Sequence, residues 1–176
     1  IYTLNIPKDK WMFGMTDGAR ECILTAETHA KGTQFAEEAK VDASDFEMEY
    51  VPDEENTQWV KDSVNTLIRA VMYFSGTTAA EGETALSPDL DIESAVDYFI
   101  ITCMFALTDN LDKNYILMTF DGVKWAFSEY DLDTAFGNRW DGKIYYSPDT
   151  ITTFKGFANT HKLMGILYSC YKDKLK

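Results

Sequence analysis

Apolar residues recur at helical spacing from residue 57 to 74, where Val60, Val64, Leu67, Ile68, Val71 and Met72 form one stripe behind Asn56 or Thr57 as N-cap. A second helix is predicted over 92–107, behind Asp91. Its residues Ile92, Val96, Phe99, Ile100, Ile101, Met104, Phe105 and Leu107 are apolar nearly all round, which marks a buried central helix. Leu163, Met164, Leu167, Tyr168 and Tyr171 trace a C-terminal amphipathic helix behind Asn159 or Thr160. Period two appears where Phe46, Glu47, Met48, Glu49 and Tyr50 alternate, predicting a half-buried strand, and Cys22 to Thr25 form a short apolar run. Residues 75–90, rich in Gly, Thr, Ala, Ser and Pro, predict a long surface loop. Residues 1–6 read as an edge strand or incoming linker, and Trp11 to Met15 form an apolar patch before the turn-like Thr16-Asp17-Gly18. No internal repeat is visible, and the fold class is α+β with helices dominant.

The strongest hairpin signal is Asp121-Gly122 between the strand-like runs Tyr115–Phe120 and Val123–Ser128. A two-residue turn there pairs Phe120 with Val123, Met118 with Trp125, Ile116 with Phe127 and Asn114 with Glu129. Period-two alternation then brings Asn114, Ile116, Met118, Trp125, Phe127 and Asp131 to one face. Asn114 and Asp131 converge at its open end.

Composition narrows the function classes. Of 176 residues, 45% are hydrophobic and 14% aromatic, enough for one sizeable core. The formal charge of -13, from 29 acidic and 16 basic residues, repels nucleic acid and anionic membranes and favours basic protein partners or cations. No stretch approaches the roughly 18 consecutive apolar residues of a membrane span. Cys22, Cys103 and Cys170 show no CxxC spacing, so neither a zinc site nor a disulfide framework is indicated. His29 and His161 carry no ligand spacing, which argues against a His-based metal centre or Ser-His triad; His161 is expected on a helix surface.

The polar stretch Thr108 to Asn114 carries the candidate chemistry. Asp109 precedes Asn114 by five positions, the spacing of a catalytic loop in which the Asp accepts a hydroxyl proton and the Asn binds metal. An amide oxygen and a carboxylate from Asp131, beside an apolar floor, suit a hard cation next to a flat aromatic ligand; a nucleotide triphosphate with magnesium supplies both. Alone, Asp109 and Asn114 also read as caps of a helix end, and Trp125 also reads as core packing against Met118. Lys113 reads as an exposed lysine, and Asp112 and Asp133 as solvated carboxylates outside any EF-hand pattern. Asp131-Leu132-Asp133-Thr134 has the Asp-x-Asp form of a phosphatase nucleophile, but Ala135 stands where that chemistry wants Thr or Val.

The segments Asp109-Asn110-Leu111-Asp112-Lys113-Asn114-Tyr115, Lys124-Trp125 and Tyr130-Asp131-Leu132-Asp133-Thr134-Ala135-Phe136-Gly137 together resemble the signature region of the CotH (spore-coat) kinase family. The resemblance is specific over about residues 95–140. It implies an atypical protein-kinase-like C-lobe, mainly helical, with a β-hairpin carrying the metal site. It implies Asp109 as catalytic base, Asn114 and Asp131 as metal ligands, Trp125 as a nucleotide-contacting aromatic, and supporting roles for Asp133 and Gly137. ATP and Mg2+ or Mn2+ are the implied cofactors, and a basic, Ser-rich protein the implied substrate. The implied setting is an extracellular surface, spore coat or virion. Such kinases place a phosphate-binding lysine on an N-terminal lobe, and Lys8, Lys10, Lys31 and Lys40 lack a strand context for it. Residues 1–55 therefore read as incoming strands and linker from a lobe upstream of Ile1. Residues 56–176 read as the helical lobe with hairpin 115–128, cut at its C-terminus. The competing reading is a non-catalytic kinase-like module of a surface, coat or phage-tail protein.

Overall fold

Every residue of strand β1 (Cys22–Ala26) is buried, because it lies in the middle of a sheet covered on both faces. In the computed structural model, which describes residues 8–42, 44–138, 141, 143, 156, 158–159 and 161–175, the sheet order is β2-β1-β3-β4 and all pairs are antiparallel. The other strands are β2 (Phe46–Tyr50), β3 (Tyr115–Thr119) and β4 (Trp125–Glu129). The helices are α1 (Gln58–Tyr73), α2 (Ala79–Leu86), α3 (Ile92–Met104) and α4 (Lys162–Tyr171). The fold is thus α+β, with four helices on a four-stranded sheet among the described residues. Strands from both sides of the boundary expected near residue 55 share that sheet. Residues 1–6, read as an edge strand or linker, lie outside the described residues.

Alternation assigns the two faces. Cys22, Leu24, Ala26, Phe46, Tyr115, Leu117, Trp125 and Phe127 point toward the helices and join the main core. The α1 stripe of Val60, Val64, Leu67, Ile68 and Val71 is fully buried there; each such side chain contributes about 1.5–3 kcal/mol over its exposed state. Beneath the sheet, the rings of Tyr98 in α3, Tyr115 and Phe127 lie 5.2–5.9 Å apart. The opposite face carries a smaller cluster of Met15, Ile23, Ile116 and Met118, with Phe13, Tyr50, Ala126 and Tyr130 around it. The strap from Lys8 to Met15, including the short 3-10 turn Lys10–Phe13, covers this face.

The hairpin register differs from expectation by one residue. Thr119 pairs with Trp125, Met118 with Ala126, Leu117 with Phe127, Ile116 with Ser128 and Tyr115 with Glu129. Phe120 to Lys124 form a longer loop around Asp121, whose Oδ1 accepts the N–H groups of Val123 and Lys124, each at 2.8 Å, while Gly122 takes a φ of 76°. A one-residue slip exchanges faces. Trp125 and Phe127 consequently lie on the helix side, opposite Ile116 and Met118.

The loop expected over 75–90 contains α2. Its start is a capping box: the Glu81 N–H donates to Thr78 Oγ1 at 3.3 Å, and the Thr78 N–H donates to Glu81 Oε2 at 3.0 Å. Gly82 allows α2 to approach α4, since a Cβ there would stand 2.7 Å from the Tyr171 hydroxyl. His161, expected at a surface, is only 4% exposed, because the turn into α4 carries its ring to within 5.7 Å of the Phe35 ring.

Candidate active site

The polar loop after α3 is organised by Asn110, which is fully buried in the short 3-10 turn Asp109–Leu111. Its Nδ2 donates to the carbonyl of Asn114 at 2.6 Å and to that of Tyr130 at 2.8 Å. The Tyr98 hydroxyl, rising from α3, donates to the Asn110 carbonyl. The Tyr130 N–H donates to the Asn114 carbonyl at 3.2 Å and closes the open end of the β3–β4 hairpin. One side chain therefore fixes Asn114 directly and Asp131 through its neighbour.

Asn114 and Asp131 both adopt the left-handed backbone region, with φ of 57° and 53°. Asn and Asp tolerate it best among residues with side chains, which fits the residue types found at these bends. The Asn114 N–H donates to the Ala26 carbonyl at 2.7 Å, so the bend joins the loop to the end of β1. Asn114 is 5% exposed, whereas Asp131 is exposed.

Asp109 faces the same region. Burial first, then the carboxylates of Asp131 and Asp109, hold the Asp133 carboxyl above its ordinary value, against the opposing pull of Lys113. Lys113 Nζ lies 3.0 Å from Asp109 Oδ2. Asp109, Asp131 and Asp133 thus share one negative field with Lys113 in it. Asn114, Asp131 and Asp133 carry hard oxygen donors of the kind a divalent cation takes, but among the described residues the carboxylates whose oxygens lie within 4.8 Å of one another are Glu27, Glu47 and Glu49.

Beside Asp131 opens a cleft of about 400 Å³, lined by Lys8, Met12, Ile116, Glu129, Tyr130, Asp131 and Leu132. Lys8, set aside in the sequence for want of a strand context, stands in this lining. Its Nζ lies 2.7 Å from Glu27 and 2.6 Å from Glu49, and 4.0 Å from the centre of the Tyr130 ring. Burial alone would lower the ammonium, but hydrogen bonds to Glu27 and Glu49 outweigh it and raise Lys8 above its ordinary value. Glu27, Glu47 and Glu49 bring carboxylate oxygens within 4.8 Å of one another, and Lys8 is the cation that meets this cluster. Glu129 lines the cleft with its Oε1 buried and unpartnered; burial and then Asp97 hold its carboxyl above the usual value.

Trp125 is not part of this arrangement. It is 0% exposed on the helix side of the sheet, and its Nε1–H donates to Ser63 Oγ at 2.9 Å. No face of the indole is open for a ring to stack on, which corrects its reading as a nucleotide contact. Two other hollows, of about 380 and 650 Å³, open around Phe74, Ser75 and Gly76 on the helical side. Neither gathers more than one carboxylate, so the cleft beside Asp131 is the better candidate despite its modest size.

Among the described residues no helix is long and apolar enough to cross a membrane. The search of curated proteins finds no match. A sequence model described as CotH kinase protein matches residues 18–167, most of the chain.

Proposed function

Because the chain belongs to the CotH kinase protein family, we propose that this kinase-like domain transfers the γ-phosphate of ATP to a Ser or Thr hydroxyl of a protein, with a divalent cation. The observation that carries the proposal is the Asn110 clamp, which ties the 109–114 loop and Asp131 together at the edge of the cleft. Ile116 and Tyr130 offer apolar and aromatic surface for a base, and Lys8 a cation for phosphate. Asn114 and Asp131, with Asp133 beside them, would hold Mg2+ or Mn2+, which neutralises charge on the phosphates. Asp109 orients the acceptor hydroxyl and takes its proton. Little covalent chemistry falls to the protein in such a transfer, so positioning and charge neutralisation supply most of the rate. The acidic chain draws basic, Ser-rich protein substrates, and work at a spore coat or other extracellular surface belongs to the same proposal.

A specific observation favours the second reading, a kinase-like module that binds without catalysis. Lys8 is already held by two glutamates, and Trp125 is enclosed in the core. Incubation with labelled ATP, Mg2+ or Mn2+ and a basic Ser-rich protein separates the two. Transfer that is lost in Asp109→Ala and in Asp131→Ala supports the kinase. No transfer, together with no metal-dependent thermal shift by ATP, refutes it.

A further inference from the structure

Asp109 presents two oxygens, and they meet different partners. Lys113 Nζ holds Oδ2 at 3.0 Å, while Oδ1 faces the Nε2 of His29 at 3.7 Å. The other nitrogen of the same ring, Nδ1, lies 3.5 Å from Asp112 Oδ2. A histidine thus stands between two carboxylates, aimed at the one oxygen of the candidate base that no lysine holds. Both contacts are longer than ordinary hydrogen bonds. Catalytic hydrogen bonds commonly stand long in the absence of substrate and tighten when it binds.

The turn carrying His29 is fastened at several points. Thr33, fully buried, brings its hydroxyl to 3.0 Å from the Thr28 carbonyl and 2.8 Å from that of Ala30, and accepts the Ala30 N–H at 3.2 Å. The Thr28 hydroxyl donates to the Ser44 carbonyl at 2.6 Å, and the Tyr115 hydroxyl donates to the Thr33 carbonyl at 2.6 Å. The bond from the Asn114 N–H to Ala26 fixes the facing loop against the same end of β1. His29 is therefore held over Asp109 by a braced turn, while its side chain stays 53% exposed to water.

The geometry points to His29 as a positioning residue for the proton step, with Asp112 orienting the ring and Asp109 passing on to it the proton taken from the acceptor hydroxyl. This inference rests on the kinase reading. The partner of one ring nitrogen decides which nitrogen carries the proton. With Nδ1–H directed at Asp112, the Nε2 lone pair faces Asp109. In the transfer, the acceptor oxygen bonds to the γ-phosphorus, and the bond from that phosphorus to the bridging oxygen breaks, its electron pair leaving on ADP. The hydroxyl proton moves to Asp109 Oδ1, then to His29 Nε2, and the exposed imidazolium releases it to bulk water. Asp109 is restored as a carboxylate. The charged groups facing His29 among the described residues are Asp109 and Asp112, with Lys113 acting through Asp109.

His29 and His161 are the only histidines, so an imidazole nitrogen spectrum resolves two rings. We expect neutral His29 to carry its proton on Nδ1 in the native protein, and Asp112→Asn to move it toward Nε2. In kinetics, His29→Gln should lower kcat about 3- to 10-fold, below the span of a primary general base, with KM for ATP unchanged. The same variant should flatten the acid limb of the kcat profile, which a purely structural role would not do. A native Nε2–H tautomer, or an unchanged kcat and pH profile in the variant, overturns the role of His29 alone. A native protein that transfers no phosphate overturns the kinase reading and this inference with it, and the tautomer remains readable in that case.

Discussion

Replacing Asn110 tests the structural core of the candidate site without reference to catalysis. Asn110→Ala removes the donor to two carbonyls. Asn114 O keeps the Tyr130 N–H at 3.2 Å, whereas Tyr130 O has no other partner among the described residues. Leaving the part-buried Tyr130 carbonyl unpaired costs about 1–3 kcal/mol, and losing the buried bond to the Asn114 carbonyl adds about 0.5–1.5 kcal/mol, for a total near 2–4 kcal/mol. For a chain of this length the melting temperature should fall by roughly 5–15 °C. Asn110→Asp sharpens the test because it keeps the shape while losing both donors and setting a carboxylate against two carbonyls. It should destabilise at least as much as the alanine. Urea unfolding and calorimetry of both variants provide the measurement. If Asn110→Asp melts with the native protein, the clamp does not hold the loop.

Two further predictions concern buried titratable groups. Burial lowers the His161 imidazole below its ordinary value of 6.5, against weaker opposing effects from the Thr33 carbonyl and Asp112. The unfolded chain then binds the proton more readily, so the contribution of His161 to stability is complete above about 6.5 and is lost as pH falls below it. Urea midpoints from pH 7 to 5 should decline less steeply in His161→Asn than in the native protein; equal slopes would remove His161 as the cause. For Glu129, burial and Asp97 raise the carboxyl, so its charged form is disfavoured in the fold. Glu129→Gln should stabilise the protein at pH 7, with the gain vanishing as pH falls through the carboxyl range. A destabilised variant at pH 7 would show that the carboxylate is a net stabilising partner.

The α1 and α3 helices and β2 were legible in the sequence because each repeats at one clear period and buries the face that period selects. α2 was hidden by its composition: Gly82 and several small residues masked a helix that Thr78 and Glu81 nevertheless announce as a capping pair. The hairpin was legible but its register was not. Asp121-Gly122 suggests a two-residue turn, yet the Asp121 carboxylate accepts two successive amides and lengthens the loop, and burying Trp125 beside Ser63 sets the other parity. That slip removed Trp125 from the site. Asn114 and Asp131 stand at the same end of the hairpin through a different device, the side chain of Asn110. Lys8 and His29 carried no local signal, since a strap and a braced turn bring them in from distant parts of the chain.

The strap over the second face of the sheet has a consequence for how the molecule opens. Its amides at Met12, Gly14 and Met15 bond to carbonyls within the strap itself, at Asp9, Trp11 and Lys10, and only Met15 sinks fully into the small cluster beneath. Amides of β1 and β3, by contrast, are paired on a sheet sealed by the main core. Hydrogen exchange should therefore divide into two classes: strap amides that exchange through local opening with little response to denaturant, and β1 and β3 amides that exchange only with global unfolding. Whatever settles in the cleft beside Lys8 and Met12 would first be felt as slower exchange in the strap, long before the sheet registers it.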